Sequence, residues 1–309
     1  MPETSKGAIA ITGATGFIGR TLLDRLAESG WRLRALTRSG RIKEHPLVEP
    51  VRGSLESFAA LERLVDGVEV VIHCAGAVRG ASYADFARVN VTGLENLLIA
   101  IRCRSRPPRL IHLSSLAARQ PQLSWYAASK NKGEELLEKH FPELSWTVLR
   151  PPAVYGPGDK EMLPVFRLMA RGVAPVPGTG RSRFSLLHVT DLAAAVEMLL
   201  AGAGKGRIFE LHDGKERGYD WFEVIEVVSG LRGKRVRPVR IPLACFYPPA
   251  WLNQFAARIF NLPRPMLTPG KVREIAWPEW VCDNALFARE TGWRPRVDLR
   301  RGLAALLAW

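Results

Sequence analysis

The chain has 309 residues, of which 47% are hydrophobic and 24% charged, a balance typical of a soluble globular protein with one or two domains. We expect neither a signal peptide nor a transmembrane helix, because the N-terminus lacks a basic-then-apolar pattern and no apolar run reaches roughly 18 residues. The four cysteines and six histidines are scattered. This excludes a disulfide scaffold, predicts no metal site and favours a cytoplasmic protein with reduced thiols.

The net charge of +14 is concentrated at one end of the chain. Residues 231–309 contain 14 Lys and Arg against 5 Asp and Glu. Such a basic region serves nucleic acid, an anionic membrane surface or an anionic substrate, and a composition bias of the source genome would also produce it. The sequence contains no zinc-finger spacing, aromatic RNA-binding signature or zipper, so we expect no nucleic-acid partner.

The first predicted elements are a strand, a glycine-rich turn and a helix. The strand is the apolar run at 7–12, and the turn "GATGFIG" at 13–19 leads into a helical pattern. Gly13 would allow a sharp turn, Gly16 a close approach of the backbone to a pyrophosphate, and Gly19 close packing of helix on strand. The helix N-terminus would offer free N–H groups to phosphates. This arrangement predicts a dinucleotide-binding site.

The next predicted strand, residues 32–38, should end beside the adenosine ribose. An NAD-preferring site would place Asp or Glu there to accept from the 2′-hydroxyl. This chain instead has Thr37 and Arg38, with Arg41 and Lys43 nearby. The cations favour the 2′-phosphate of NADP over NAD, although Arg38 stacking on adenine is an alternative.

Three further strands are predicted at 69–76, 109–115 and 145–151, alternating with helical patterns. This alternation predicts an α/β fold with a parallel, doubly wound sheet. Cofactors bind outside the carboxyl ends of the strands in such sheets. The residues at these ends are Gly13, Ala75, Gly76, Ser114, Ser115 and Pro151.

Several motifs, in this order, resemble the extended short-chain dehydrogenase/reductase family, the NAD(P)-dependent epimerase/dehydratase superfamily. The resemblance covers the first ~200 residues well and the remainder loosely, and it implies a Rossmann domain. The motifs are "TGATGFIG" at 12–19, "HCAGAV" at 73–78, "VNVTGLENLL" at 89–98, "LSS" at 113–115, Tyr126-x-x-x-Lys130, "RPPAVYGPGD" at 150–159 and "LLHVTDLAAAVEMLL" at 186–200.

The resemblance gives catalytic roles to residues that spacing alone leaves open. Tyr126 and Lys130 are four residues apart, so on a helix they share a face, as would an aromatic beside a solvated charge. The family implies that Tyr126 is the general acid/base and that Lys130, together with the cationic nicotinamide, lowers its pKa. Ser115 would donate to the reacting oxygen, with Ser114 as the alternative. Asn90 would support the lysine and a water relay, or else cap a helix.

The resemblance also implies a dinucleotide site spread over the strand ends. The residues are Gly13, Thr15, Gly16, Phe17, Ile18, Gly19, Arg38, Ser54, Leu55, Cys74, Ala75, Gly76, Ala77, Ser114, Tyr126, Lys130, Pro151, Ala153 and Val154. Ser54 stands where the family usually has an Asp that holds adenine, so we expect a weaker adenine contact, or one made by Leu55 and the backbone. The short loop between Ser115 and Tyr126 leaves less protein over a sugar, which weakens the case for sugar-nucleotide chemistry.

The remaining chain is predicted to build a smaller substrate domain. We expect the Rossmann domain to comprise 1–155 plus about 184–214, and the discontinuous substrate domain 156–183 plus 215–309. The predicted elements are a helix at 161–172, a loop at 173–184, a strand at 206–214, a helix at 219–233 and a strand at 235–242.

Residues 242–265 form an aromatic-rich segment with helical spacing. Arg258 and Arg264 flank its apolar residues, and prolines bracket it. The pattern is most typical of a helix packing its apolar face into the core; a lid or tunnel wall for an apolar substrate and an interfacial membrane helix are the alternatives. The apolar residues are Trp251, Leu252, Phe255, Ala256, Ile259 and Phe260.

Arg181 and Arg183 lie in the stretch "GTGRSRF". Sugar-nucleotide epimerases of the family use an arginine here to bind the substrate diphosphate. If the arginines have that role, the substrate is a nucleotide sugar. The alternative is that both lie in a solvated turn.

These features together predict an NADP(H)-dependent oxidoreductase acting on a secondary alcohol or ketone of a hydrophobic, sterol- or isoprenoid-like substrate, with NAD as the other cofactor option. The 3β-hydroxysteroid dehydrogenase-like branch is the part of the family it most resembles. The alternatives are a sugar-nucleotide epimerase or dehydratase and a non-enzymatic nucleotide-sensing or assembly subunit. A homodimer and peripheral contact with an anionic membrane at its inner face are further expectations.

Overall fold

A computed structural model describes residues 7–39, 42–260 and 264–307 of the chain. Within these ranges the strands are β1 Ala8–Thr12, β2 Arg32–Thr37, β3 Val48–Arg52, β4 Val70–His73, β5 Arg109–Leu113, β6 Trp146–Arg150, β7 Ala153–Tyr155, β8 Val173–Pro177, β9 Arg183–Phe184, β10 Leu186–His188, β11 Arg207–Glu210, β12 Arg237–Ile241 and β13 Glu279–Trp280.

Helices follow most of these strands. They are α1 Phe17–Glu28, α2 Phe58–Val65, α3 Tyr83–Ala87, α4 Gly93–Arg102, α5 Trp125–His140, α6 Leu163–Ala170, α7 Val189–Leu199, α8 Trp221–Arg232, α9 Tyr247–Ile259, α10 Pro269–Ala276, α11 Ala285–Thr291 and α12 Leu299–Leu306. A π-helical turn, Arg88–Thr92, joins α3 to α4, and short 3₁₀ turns precede α5 and α9.

Seven parallel strands form the central sheet, in the order β11-β6-β5-β4-β1-β2-β3. The predicted doubly wound α/β fold is confirmed. The chain moves outward from β1 to β2 and β3 on one side and to β4, β5 and β6 on the other. The order therefore reverses between β1 and β4, which is where sheets of this kind bind ligands at their carboxyl edge.

Apolar clusters cover both faces of the sheet. On one face α1 and α7 pack through residues such as Leu22 and Val196, and on the other α2, α4 and α5 pack through Leu61, Leu97 and Leu137. These five side chains are fully buried. Burial of an aliphatic side chain contributes about 1.5–3 kcal/mol, so the two layers hold the strand ends in fixed positions.

A third apolar cluster lies outside the sheet. It joins α6, β8, α8 and α12 through residues such as Phe166, Val176, Val228 and Leu303. Most of this cluster belongs to the region that we assign to the substrate domain, and Tyr155 and Leu186 join it from the ranges assigned to the Rossmann domain. Part of the assigned substrate domain nevertheless packs on the sheet, because Phe287 and Trp293 belong to the cluster that contains Phe209. The domain boundaries stay a prediction.

The loop predicted at 173–184 is wrong in part. Val173–Pro177 is a strand that pairs in parallel with Arg237–Ile241, and Arg183–Phe184 pairs with Glu279–Trp280. The prolines of "VAPVP" resemble a loop in the sequence. A two-stranded sheet leaves one side of each strand unpaired, so prolines are tolerated there.

The preferred interpretation of 242–265 as a core helix is also wrong for the described residues of that segment. The helix α9 forms, but its large apolar side chains are exposed, and its buried residues are Ala250 and Gln254. Periodicity revealed an amphipathic helix without revealing which face meets the protein. Asn261, Leu262 and Pro263 lie outside the described residues. None of the helices in the described part of the chain is long and apolar enough to cross a membrane.

Candidate active site

The first part of the candidate site is the turn between β1 and α1. Gly13 has φ of +71°, and a Cβ built on it would lie 2.6 Å from the backbone nitrogen of Ala75, just after β4. A Cβ on Gly19 would lie 2.1 Å from the carbonyl oxygen of Gly13. Only glycine at these two positions allows β1, α1 and the end of β4 to approach so closely.

The N-terminus of α1 has no side-chain cap. Its N-cap residue is Gly16, and the first turn contains no acidic residue. Thr15 and Gly16 are exposed, while Phe17 and Ile18 are half-buried. Unpaired N–H groups and the positive end of the helix dipole make such a terminus a site for anions. The residues present therefore fit the pyrophosphate of a dinucleotide.

The predicted adenosine end of the site lies at β2 and β3. Thr37 ends β2 in a buried position and Arg38 follows it, exposed. Ser54 Oγ accepts from the backbone nitrogen of Glu56 at 3.2 Å, and the carbonyl oxygen of Leu55 accepts from Asn96 Nδ2 at 2.9 Å. These two bonds hold the loop after β3, and β3 pairs with β2 up to Arg52 and Thr37. Arg41 lies outside the described residues.

Lys130 is buried at the carboxyl end of β5. Its Nζ donates to the carbonyl oxygen of Leu113 at 2.8 Å and would lie 3.4 Å from a Cβ on Gly76. Burial lowers the pKa of Lys130 from 10.5 to about 8, although Glu134 and Cys74 oppose this shift. Lys130 and Gly76, two residues predicted to line the dinucleotide site, thus lie next to each other in the structure.

Glu134 is a site residue that the sequence analysis missed. It lies one turn beyond Lys130 on α5, is buried, and accepts from Ser114 Oγ and from Arg150, whose Nε lies 3.0 Å from Oε1. The i+4 spacing from Lys130 was the available signal. The Ser114 hydroxyl donates its hydrogen bond to Glu134. This favours Ser115 over Ser114 as the residue that would donate to the reacting oxygen.

Asn90 is buried in the π-helical turn. Its Oδ1 accepts from the backbone nitrogen of Ala77 at 2.8 Å, and its Nδ2 donates to the carbonyl oxygen of Ala77 and to Ser129 Oγ. The alternative of a helix cap is therefore wrong. Asn90 fixes the backbone after β4, beside Gly76 and Lys130.

Tyr126 is half-buried in the first turn of α5, with its ring 6.1 Å from that of Phe86. Burial raises the pKa of the Tyr126 phenol, and a hydrogen bond with Ser115 lowers it to a lesser extent. In the chain without a bound cofactor the pKa of Tyr126 is therefore raised, whereas the family resemblance implies that it is lowered. The lowering by Lys130 stays a prediction for the chain with a cationic nicotinamide bound.

Lys271 and Glu274, on α10, are two further residues near Tyr126 that sequence reasoning did not find. Lys271 Nζ lies 2.9 Å from Glu274 Oε2, and Glu274 accepts from Ser124 Oγ, the N-cap of α5. Lys271 lowers the pKa of Tyr126 and Glu274 raises it. They are about 150 residues away in the chain, so no spacing could indicate them.

The other predicted residues lie along the same strand ends. Cys74 and Ala77 follow β4, and burial raises the pKa of Cys74 to about 12, so this thiol is protonated at neutral pH. The carbonyl oxygen of Pro151, after β6, accepts from Leu116 at 2.9 Å. Ala153 and Val154 belong to β7, where Ala153 is exposed and Val154 half-buried.

Arg183 is not free to bind a diphosphate. Its guanidinium donates to the carbonyl oxygens of Arg217 and Gly218, at 2.6 and 2.9 Å, and lies 3.1 Å from Glu223 Oε2. Arg183 thus joins parts of the protein to one another. This differs from both predicted roles, which were binding of a substrate diphosphate and a place in a solvated turn. Arg181, two residues earlier, is exposed.

A doubly wound parallel sheet with an uncapped glycine turn at its carboxyl edge is typical of enzymes that bind a nicotinamide dinucleotide, and Lys130 is buried at the same edge. The comparisons agree with this class. The chain belongs to the NAD dependent epimerase/dehydratase family, which it matches over residues 9–211. It is an NAD(P)-dependent enzyme of the extended short-chain dehydrogenase/reductase type.

Three relatives illustrate the similarity in sequence. A ceramide reductase from Caulobacter vibrioides is 38% identical over 294 residues, covering 93% of this chain and 90% of the relative. A 2-alkyl-3-oxoalkanoate reductase from Stenotrophomonas maltophilia is 27% identical, covering 97% and 98%. A 3β-hydroxysteroid dehydrogenase/Δ5→4-isomerase from Mycobacterium tuberculosis is 25% identical, covering 99% and 91%.

Solved structures share the fold at lower identity. A UDP-glucose 4-epimerase from Thermotoga maritima superposes with a TM-score of 0.75 at 22% identity, covering 97% of each chain. A dTDP-glucose 4,6-dehydratase from Bacillus anthracis, in complex with NAD, gives 0.76 at 19% identity, covering 98% of this chain and 96% of that one. At these identities the likeness is one of fold.

Proposed function

We propose that the protein transfers a hydride between NADP(H) and a secondary alcohol or ketone of a hydrophobic, lipid-like molecule, with Tyr126 exchanging the proton. The observation that carries the proposal is that Lys130 is buried one turn beyond Tyr126 on α5, with its Nζ donating to the carbonyl oxygen of Leu113, while Ser115 follows the same strand, β5. The hydroxyls of Ser115 and Tyr126 are the groups that would contact the substrate oxygen, where charge changes during hydride transfer.

The residues of the chain divide the chemistry among them. In the reducing direction the Tyr126 hydroxyl donates its proton to the carbonyl oxygen, and the Ser115 hydroxyl donates a hydrogen bond to the same oxygen. The Lys130 ammonium stabilises the phenolate that remains. A bound nicotinamide dinucleotide supplies the hydride in this direction and accepts it in the other. Asn90 keeps the backbone at Ala77 in place beside these groups.

Arg38 supports NADP as the preferred cofactor. It is exposed directly after β2, at the position where the ribose of a dinucleotide is expected, and the loop at Ser54 and Leu55 carries no acidic residue until Glu56. A guanidinium binds a 2′-phosphate through charge-assisted hydrogen bonds. A carboxylate, which would favour NAD, is missing here.

The names of three relatives support a lipid-like substrate. A ceramide, a 2-alkyl-3-oxoalkanoate and a 3β-hydroxysteroid are hydrophobic molecules with an oxygen function on a carbon chain or ring. We therefore extend the predicted sterol- or isoprenoid-like class to ceramide-type lipids. The engagement of Arg183 with Glu223 and two carbonyl oxygens argues against the alternative, a sugar-nucleotide substrate held by its diphosphate.

The test is turnover of a substrate panel by the purified protein with NADPH, followed by absorbance. The panel contains 3-oxo forms of a steroid, a long-chain alkanoate and a ceramide-type lipid. We expect Tyr126→Phe to lower kcat at least about a hundredfold on whichever ketone is reduced. Tyr83→Phe, an exposed tyrosine on α3, is the matched control. Unchanged turnover in Tyr126→Phe would contradict the proposal.

A further inference from the structure

Helix α9 exposes an apolar face of unusual size for this chain. Trp251, Leu252, Phe255 and Ile259 fall within an arc of about 100° on the helix, and Phe260 follows its last turn. Their exposed fractions are between 57% and 68%, higher than for any other large hydrophobic residue in the described ranges. We call these five residues the apolar face of α9. Such a concentration marks an interaction site.

A strip along one edge of the apolar face holds α9 to the protein. Ala250 and Gln254 are buried, and Arg258 Nε donates to the carbonyl oxygen of Ala81 at 2.8 Å. The Arg258 guanidinium also lies 5.3 Å from the ring centroid of Trp125. The helix is thus attached on one side, and its apolar face is directed to solvent.

The segment of the chain that contains α9 is basic and has no acidic residue. Residues 227–273 contain nine Lys and Arg and no Asp or Glu. Of these, Lys234, Arg235, Arg237 and Arg240 are exposed in and just before β12, the strand that leads into α9. Aromatic and aliphatic side chains on one face of a helix, with cations close to it in the chain, are the combination that binds anionic lipid bilayers.

A second copy of the chain fits this surface less well. A twofold contact through the apolar face would bring the basic segment of one copy toward the same segment of the other, because such an interface is self-complementary. Like charges would then face one another with no acidic residue in 227–273 to offset them. An anionic bilayer removes this repulsion and covers the apolar face at the same time.

We propose that α9 lies in the interface of an anionic lipid bilayer, with its apolar face at the level of the acyl chains and its basic neighbours at the headgroups. The helix is next to the candidate site, since Trp125 adjoins Tyr126 in sequence and contacts Arg258. A groove of about 470 Å³ runs beside the helix and is lined by Arg79, Asn253, Ala256, Arg264 and Met266.

The test measures vesicle binding without turnover, so its result does not depend on the proposed activity. Purified full-length protein is floated with vesicles of equimolar phosphatidylglycerol and phosphatidylcholine, and with phosphatidylcholine alone. We expect binding to the anionic vesicles that weakens in high salt, and at least about tenfold weaker binding to the neutral ones. The double variant Trp251→Ser/Phe255→Ser should bind at least about tenfold less.

Two controls separate the membrane contact from other effects. Phe58→Ser/Met198→Ser removes exposed hydrophobic residues on α2 and α7, away from α9, and should bind as the wild type does. Quenching of wild-type fluorescence by brominated lipids, reduced in Trp251→Phe, places the helix in the bilayer even if the double variant misfolds. Equal binding by both double variants overturns the proposal. So does a wild-type dimer without vesicle affinity that the α9 variant converts to monomer.

Discussion

Lys130 Nζ donates a hydrogen bond to the carbonyl oxygen of Leu113, the last residue of β5, at 2.8 Å. The contact holds the ammonium against the carboxyl edge of the sheet, between the end of β4 and the buried carboxylate of Glu134. Because the group is buried, its pKa falls from 10.5 to about 8. The protein thus keeps a cation in its candidate site at a cost in stability.

Lys130→Met should raise the free energy of unfolding at pH 7 by up to about 3 kcal/mol. The folded-state pKa of about 8 is below the unfolded value of 10.5, so folding at pH 7 requires a charged, desolvated ammonium. Between these pKa values the unfolded chain binds more protons than the folded one, and wild-type stability rises with pH. The advantage of the variant should therefore shrink above pH 8 in denaturant titrations.

Lys132→Met is the control for this measurement. Lys132 is exposed on the same helix and pairs with Glu135 at 3.0 Å, so its removal should change stability by about 0.5 kcal/mol or less at every pH. A Lys130→Met advantage that stays constant from neutral to alkaline pH would show that the ammonium is not the source of the cost.

Gly13→Ala should weaken NADPH binding at least tenfold, whereas Gly30→Ala should leave binding unchanged. Both glycines have positive φ, +71° and +83°, so both substitutions introduce backbone strain of about 1 kcal/mol. A Cβ at Gly13 would also lie 2.6 Å from Ala75, while one at Gly30 has open space. Fluorescence titrations of the two variants with NADPH distinguish the effect of the clash at Gly13 on binding from the effect of backbone strain, which both variants share. Equal losses in both would contradict the assigned role of Gly13.

Lys271→Met should move the pH profile of alcohol oxidation to higher pH. Lys271 lowers the pKa of Tyr126, so its removal leaves the opposing effects of burial and Glu274. The phenolate is the base in this direction, and a higher pKa shifts the rising limb of kcat/KM upward. Lys132→Met again serves as control. A lower kcat with an unchanged pH profile would indicate that Lys271 has only a structural role.

Arg183→Ala should destabilise the protein by about 1–2 kcal/mol, because the carbonyl oxygens of Arg217 and Gly218 lose their donor. The exposed Arg181→Ala should change stability by about 0.5 kcal/mol or less. Calorimetric titration of the wild type with UDP-glucose should give no binding. Binding that Arg183→Ala abolishes without loss of stability would instead favour a nucleotide-sugar enzyme.

The sequence predicted those parts of the fold and site that depend on local pattern. The turn at Gly13–Gly19 and the alternation of strands with helices followed from apolar runs and glycine spacing. Tyr126 and Lys130 were assigned by the family resemblance, because their separation of four residues left their role open. The same rules misassigned Val173–Pro177, because a proline-rich strand differs little from a loop until its partner, Arg237–Ile241, is known.

Residues joined only by tertiary structure could not be predicted. Lys271 and Glu274 reach the Tyr126 helix from α10, and Arg183 is engaged by residues more than thirty positions later. The apolar periodicity of α9 was visible, yet the choice between core and surface depends on which face the neighbouring elements cover. That information is spread over the whole chain.

A fluorescence titration of the purified protein with NADPH and NADH, repeated with Arg38→Asp, tests the central claim most directly. The account predicts that the wild type binds NADPH more tightly than NADH and that Arg38→Asp weakens NADPH binding at least about tenfold or reverses the preference, since a carboxylate repels the 2′-phosphate. If neither dinucleotide binds to the wild type, the assignment of the glycine turn and of Tyr126 to hydride transfer is contradicted.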